Sequence, residues 1–545
     1  MCAWLVSQKW ISLIVFIAVG LRLWGIWFGL PSLNDPDEPL FIVTSLTLIA
    51  EKSLNPGWFG HPGTTTIYAL VIINLVVVGI GMMTGRFASL EAFARYIYSD
   101  PSILFVSGRV FMAVCGILSI MLLYKIICRL ADHRTALIAA AILAVMPIHI
   151  GYSQIIRTDM QASVFMLLCI IWSIKIYDNG RVKDYIIAGF MVGLACATKW
   201  PAALIIVSPM AIGLLNALRH KQDRNRHIVY TGFAGLASII ALFSISPYLL
   251  IEHEAVIRNL LGEFQVDHVG STGKGFVGNI GWYIFDTLYG SLGAFGLALC
   301  GLGLVRAARS NRLIAATTIL PTVIFFVFIC LQTLIWDRWL VPLLPFVAFF
   351  MALGIAAIQD WVTGRLGDPA ARLAVTIGGA ALIVPMLMTA HAQTTERLND
   401  TRNQAAAWAK VHIPDGSTII VEHLAFDLLS PRWQFVFPAG DAGCVDVTEN
   451  LNGKIQYSSI DGWRGKRAVV DFGTVNRAAI ASCRADYAVF THYDRYVAER
   501  SRYDKEARTY EEFSRGGRVM QVFRPQRGKI GGPVVRVVRF ANAKQ

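Results

Sequence analysis

Residues 33–41 read LNDPDEPLF, which sets Asp35, Asp37 and Glu38 around Pro36 and Pro39 directly after about twenty mostly apolar residues. Carboxylates in such a turn could exchange a proton with a substrate or hold a cation. Further along, Asp159 in SQIIRTDM, Lys199 in ATKWP and Arg338 in WDRW each stand at the end of an apolar run, and His61 lies in GHPG. Cations in those places could hold an anion. Each residue also has a plainer reading. The acids could form only a turn whose prolines stop a helix, and Asp159 could cap one. Lys199 and Arg338 could reach to lipid headgroups, and His61 could be a hydrogen-bonded loop residue. Ionisable groups beside a bilayer core are disfavoured unless they are used, so several at one membrane face point to a shared site.

The elements that would position them are membrane helices. The chain of 545 residues is 55% hydrophobic and 16% charged, with a mean hydropathy of +0.53, far from a soluble composition. Its apolar runs suit a hydrocarbon layer of about 30 Å, which takes about 20 helical residues to cross. The first run, Ile11 to Leu30, ends without a small-x-small cleavage pattern and reads as a retained anchor. Connections alternate between Lys/Arg-rich and Lys/Arg-poor. The rich ones, 124–134, 175–184, 219–227, 306–312 and 359–372, are assigned to the cytoplasm. Asp37, Glu38, Asp159, Lys199 and Arg338 then all fall at outer helix ends. The reading is about eleven crossings, with the amino end cytoplasmic and everything after His391 outside a bacterial plasma membrane. Residues 64–85 are apolar enough to cross, yet the parity of the loops assigns them to a helix in the outer leaflet. Topology accounts for most of the net charge of +13, so no nucleic-acid partner is expected.

Residues 1–392 form the membrane unit in this reading, with 31–102 as its first outer loop, and 393–545 form a soluble α/β unit. In the latter, TRNQAAAWAKVH reads as an amphipathic helix, PDGS as a turn, and STIIVEHLAF, RADYAVFTHY and GRVMQVFRP as strands. Its two cysteines, Cys444 and Cys483, fit either a disulfide outside the cytoplasm or two buried thiols. GSTGKGFVG, residues 270–278, lacks the spacing of a nucleotide-binding phosphate loop and suits a mobile outer loop over a cavity better.

The ordered set NDPDEP, GHPGTTTIYAL, SGRVFMAVCGILSIMLLYKI, PIHIGYSQIIRTDM, GLACATKWP and DRWLVPLLP, spread over residues 10 to 360, resembles the GT-C glycosyltransferases. It is most similar to the group holding protein O-mannosyltransferases and lipid A aminoarabinose transferases. That resemblance implies a polytopic α-helical fold and transfer of a sugar from a polyprenyl phosphate to an acceptor lipid, glycan or protein at the outer membrane face. It implies the essential acid of the first outer loop at Asp37, with Glu38 as its acidic neighbour.

A sugar on a lipid phosphate already has a good leaving group, so the enzyme needs a base and cations rather than an acid. On this reading Asp37 is the base, and transfer proceeds with inversion by direct displacement. Glu38 and Asp159 orient Asp37 or the acceptor, or hold a divalent cation such as Mg²⁺ or Mn²⁺. Lys199 and Arg338, with Arg22 and Arg109 as further candidates, bind the lipid phosphate, and His61 contacts either substrate. Two other classes stay open on the residues alone, a secondary transporter and a non-catalytic membrane assembly subunit.

Overall fold

The computed structural model describes residues 2–263, 265–422, 432–446, 462–463, 465, 467 and 469–540. Its membrane part begins with α1 (Cys2–Leu23), α2 (Glu38–Glu51), α3 (Thr64–Met83), α4 (Leu90–Ser99), α5 (Ser102–Leu130), α6 (His133–Val145), α7 (Pro147–Tyr152), α8 (Thr158–Asn179) and α9 (Val182–Thr198). Among the described residues, nine helices are long and apolar enough to cross a membrane: Thr64–Met83, Ser102–Leu130, Thr158–Asn179, Trp200–Arg219, Lys221–Ile245, Gly275–Ala308, Arg312–Cys330, Asp337–Leu366 and Asp368–Leu398. This is a multi-pass membrane protein. The segment read as an outer-leaflet helix is thus long enough to span, and its first turn is tied to the end of α9 by a Gly63 N–H to Thr198 carbonyl bond of 3.2 Å.

Local chemistry sets the helix ends. Asp132 caps α6 by accepting from the N–H groups of Arg134 and Thr135 at 2.8 and 3.0 Å. Pro147 follows Met146 and starts α7 as a separate piece. Gly180, at φ 62°, ends α8 in a left-handed turn. Helices then meet through small residues, as expected where lipid offers no hydrophobic drive. A Cβ on Gly303 would lie 1.6 Å from the Phe350 carbonyl oxygen, and one on Gly189 would lie 2.0 Å from that of Ala234. The backbones touch there.

Beyond helix Asp368–Leu398 come helix Thr401–His412 and a six-stranded sheet. Its strands are β1 (Thr418–Val421), β2 (Gln434–Pro438), β3 (Cys444–Asp446), β4 (Tyr487–Phe490), β5 (Gly517–Phe523) and β6 (Val535–Phe540), in spatial order β3-β2-β1-β4-β6-β5. β1 is parallel to β2 and β4, and the outer pairs are antiparallel. Ile419, Ile420 and Val421 are all fully buried, as a central parallel strand covered on both faces requires. Ile419 and Val421 pack with Ala405 and Ala409 of helix Thr401–His412. Ile420 packs with Ala507 and Tyr510 of helix Arg500–Ser514 on the other face. The expected amphipathic helix is present, and β1, β4 and β5 fall within the three expected strands, of which the end of the first, 423–426, lies outside the described residues. Cys444 and Cys483 form a disulfide.

Candidate active site

The acidic loop is built by its prolines and by the ion pairs of its three carboxylates. The Asp35 carboxylate accepts the Asp37 N–H at 3.0 Å across Pro36, and Pro39 sits in the first turn of α2. Asp37 is therefore the residue before the helix and Glu38 the first inside it, so the two side chains leave in different directions. Glu38 is fully buried against Arg109 of α5, with bonds of 2.9 and 2.6 Å. The same guanidinium donates to the Ile26 and Phe28 carbonyls at 2.8 Å each, and Glu38 accepts the Ile156 N–H at 2.9 Å. This pair staples the loop to α5 and to the segment before α8.

Asp37 faces other cations. Its Oδ2 accepts from Arg157 and, at 3.0 Å, from Arg338. Arg157 also grips Asp35 through two bonds of 3.0 and 3.1 Å. Asp37 keeps 41% of its side chain exposed, whereas Arg157 keeps 12% and Arg338 14%. The carboxylate is thus the reachable member of a group of mostly covered charges. Burial alone would raise its pKa, but Arg157 and Arg338 hold it below the usual carboxylate range. Lys199, at the end of α9, pairs with Asp159 in the first turn of α8. His61 is close enough to feel Lys199, Arg338, Asp159 and Asp37. Burial and the two cations push its imidazole down to about 3, so it is neutral at physiological pH and can only hydrogen-bond.

Arg338 is held from behind. Its guanidinium carbon lies 4.6 Å from the centre of the Trp336 ring, and neighbouring Asp337 accepts from the Tyr152 hydroxyl. The structure therefore gathers Asp37, Asp159, Lys199, Arg338 and His61. Glu38 and Arg109 lie directly beneath them as a buried support.

Arg22 is placed elsewhere. It is fully buried and donates to the Leu143 and Ala144 carbonyls, at 3.3 and 3.0 Å, and lies 2.7 Å from His149 Nδ1. Pro147 has no N–H to bond Leu143, so Arg22 serves the break between α6 and α7 rather than the acid cluster. Glu38 and Asp159, the two carboxylates read as candidate metal ligands, are each paired with a protein cation, Arg109 and Lys199. Among the described residues no group of three His, Cys, Asp or Glu side chains is arranged to hold a metal ion.

One member escaped sequence reasoning: Arg157, two residues before Asp159 in IIRTDM, while Asp35 reads from the sequence only as part of the acidic turn and not as a partner of a cation. The available signal was charge balance, because three clustered carboxylates need more cations than Lys199 and Arg338 supply.

Comparison with known proteins agrees with this architecture. Residues 102–251 match the family described as dolichyl-phosphate-mannose-protein mannosyltransferase. The structure of ArnT from Cupriavidus metallidurans in the apo state superposes with a TM-score of 0.55 at 13% identity, covering 98% of each chain. The same enzyme bound to undecaprenyl phosphate gives a TM-score of 0.54 at 13% identity, covering 99% of each chain. The Archaeoglobus fulgidus oligosaccharyltransferase tethered to an acceptor peptide gives 0.55 at 13% identity, over 99% of this chain and 74% of that one. A search of curated proteins by sequence finds no match. The fold is thus the GT-C type, a multi-helix membrane part followed by a compact sheet unit. The resemblance read from the ordered motifs holds for that fold.

Proposed function

We propose that this protein moves a sugar from a polyprenyl-phosphate donor to an acceptor at the extracytoplasmic membrane face, by inverting displacement. The observation that carries this reading is the Asp37 carboxylate, exposed to 41% and held by two guanidiniums that are themselves largely covered. One reachable base among several cations is what transfer from a lipid phosphate needs. The solved neighbours with undecaprenyl phosphate and with an acceptor peptide support the same substrate classes.

In this mechanism an acceptor oxygen attacks the sugar C1 opposite the phosphate. The new oxygen–carbon bond forms as the C1–phosphate oxygen bond breaks, and the acceptor proton passes to Asp37. The electron pair leaves with the polyprenyl phosphate, whose charge is held by Arg338, Arg157 and Lys199, while neutral His61 contributes a hydrogen bond. In the resting arrangement Asp37 is a weak base because both guanidiniums lie on it. A donor phosphate competes for those guanidiniums and so frees the carboxylate to accept a proton. Donor binding thereby switches on the base.

The extracytoplasmic assignment draws on two features. The Cys444–Cys483 disulfide belongs to an oxidising compartment, and the Lys/Arg-rich connections suit the opposite, cytoplasmic side. With them go a cytoplasmic amino end, a bacterial plasma membrane location, and a division of the chain at 392/393. The test is transfer of label from radiolabelled polyprenyl-phosphate sugars to a membrane extract by the purified protein. Asp37→Asn keeps the shape and is expected to lower turnover by about 10² or more. Transfer by that variant at the parental rate would show that Asp37 is not the base.

A further inference from the structure

Asp37 and Arg338 come from segments far apart in the chain, 33–41 and 333–338, and the sheet unit reaches the first directly and the second through residues 265–273. The first contact is Arg402, in the first turn of helix Thr401–His412. Its Nη1 donates to the Asn34 carbonyl at 2.8 Å. Asp400 fixes the rest of the guanidinium through bonds of 2.8 and 2.6 Å. Asp400 and Thr401 are themselves anchored to the connection between β5 and β6. The Thr401 N–H donates to Gly531 at 3.0 Å, and its hydroxyl donates to Pro533 at 2.6 Å. Asn34 is buried, and its side-chain amide has no partner among the described residues. Its backbone carbonyl is therefore the group of Asn34 through which the sheet unit holds the loop. The next residue, Asp35, sets both the turn into Asp37 and the position of Arg157.

The second contact is the segment 265–273, whose last four residues begin the stretch read from the sequence as a mobile outer loop. The structure shows it bound on both sides. Val269 is 3% exposed within the cluster formed by Ile420, Phe472, Ala488, Phe490 and Tyr510 of the sheet unit. The Gly270 N–H donates to Glu499 at 2.7 Å, and Thr272 meets the Tyr503 hydroxyl at 3.2 Å. On its other side the same segment ladders with the chain leading to Arg338. The Ile335 N–H donates to Ser271 at 2.9 Å, and the Gly273 N–H donates to Thr333 at 2.7 Å. The His268 ring lies 4.9 Å from Trp336, the ring under Arg338.

We infer that the sheet unit sets the relative position of Asp37 and Arg338, with Arg402 and Val269 as its two positioning residues. Neither touches the reacting atoms. Each fixes the backbone of one segment, so a displacement of the sheet unit moves the base and its guanidinium together. Its effect on catalysis rests on the function proposed above, whereas its effect on the two segments does not.

The full-length protein in lipid nanodiscs tests this by amide hydrogen exchange, which needs no substrate. Arg402→Ala is expected to speed exchange in 33–41 about tenfold and to leave 333–338 near the parental rate, as loss of one buried hydrogen bond would do. Val269→Ala is expected to act in the reverse order, on 333–338 first. Arg402→Lys should restore most of the protection, because an ammonium still reaches the carbonyl. Glu499→Gln supplies a milder change at the second contact should Val269→Ala reduce folding. With a donor that the parental protein uses, Arg402→Ala should lower kcat about tenfold with the melting temperature retained, and Arg402→Lys should recover it. Unchanged exchange in 33–41 on Arg402→Ala would overturn the inference. Altered exchange in a protein that never transfers sugar would uphold it while sinking the function on which its catalytic part rests.

Discussion

Asp37 and Glu38 are neighbours in sequence, yet the start of α2 separates them into a reachable carboxylate and a buried one. Removing one partner of a buried pair like Glu38–Arg109 costs about 3–5 kcal/mol, because the other charge is left unpaired. Changing Glu38 is therefore expected to lower the melting temperature together with activity, whereas changing Asp37 is expected to lower activity with the melting temperature retained. The pH profile tests the switching of the base. In free protein Asp37 is held below the usual carboxylate range by Arg157 and Arg338. A base works when deprotonated, so the rate falls on the acid side of its pKa. The acid limb of kcat/KM, which reports free protein, should therefore lie lower than that of kcat, which reports the donor complex where phosphate shares the guanidiniums. Acid limbs at the same pH in both parameters would show that the donor does not release Asp37.

At the scale of elements, the sheet unit carries a buried carboxyl pair at the ends of its parallel strands. Glu422 follows β1 and accepts the N–H groups of Phe472 and Thr491 at 3.0 and 2.6 Å. Asp471 accepts the Tyr496 hydroxyl at 2.7 Å and the Thr474 N–H at 3.1 Å. Burial and the adjacent Glu422 push the Asp471 carboxyl up to about 8 from its ordinary 3.8. Within that window the folded unit holds a proton that the unfolded chain releases, so this group's contribution to stability falls as pH rises towards 8. His492, pushed below its ordinary 6.5 by burial, acts in the opposite sense beneath that value. The comparison is therefore between two proteins. Calorimetry from pH 4 to 9 should show the parental unit losing stability relative to Asp471→Asn as pH rises, and parallel curves would mean that Asp471 is ionised throughout.

At the scale of the molecule, Asp159 and Arg338 stand at the N-terminal ends of helices Thr158–Asn179 and Asp337–Leu366, whose other ends run into the basic connections 175–184 and 359–372. Cysteines introduced at Leu54 and at Ser501 are expected to react with an impermeant maleimide in cells with an opened outer membrane. One introduced at Ser310, in a basic connection, is expected to stay unlabelled until the cells are lysed. Labelling of Leu54 without Ser501 would place an odd number of crossings between them and remove the sheet unit from the face that holds Asp37.

Composition alone determines that the chain is a helical membrane protein, because an apolar run of twenty residues has few other stable forms. The strand and turn chemistry of TIIV, YAVF and PDGS likewise makes the terminal sheet unit legible, since short apolar β-forming runs and breakers act locally. Asp37, Asp159, Lys199 and Arg338 could be singled out as charges at helix ends beside a bilayer. Which charge answers which could not. Arg157 faces Asp37 across 120 residues of sequence and Arg338 faces it across 301. Arg22, of the same residue type, closes a helix break instead. Residue types and spacing carry no record of such pairings, because they depend on how helices far apart in the chain pack together. Tertiary packing alone decided that Glu38 is buried against Arg109 while Asp37 stays reachable, and that Arg402 and Val269 join the sheet unit to the segments leading to Asp37 and Arg338.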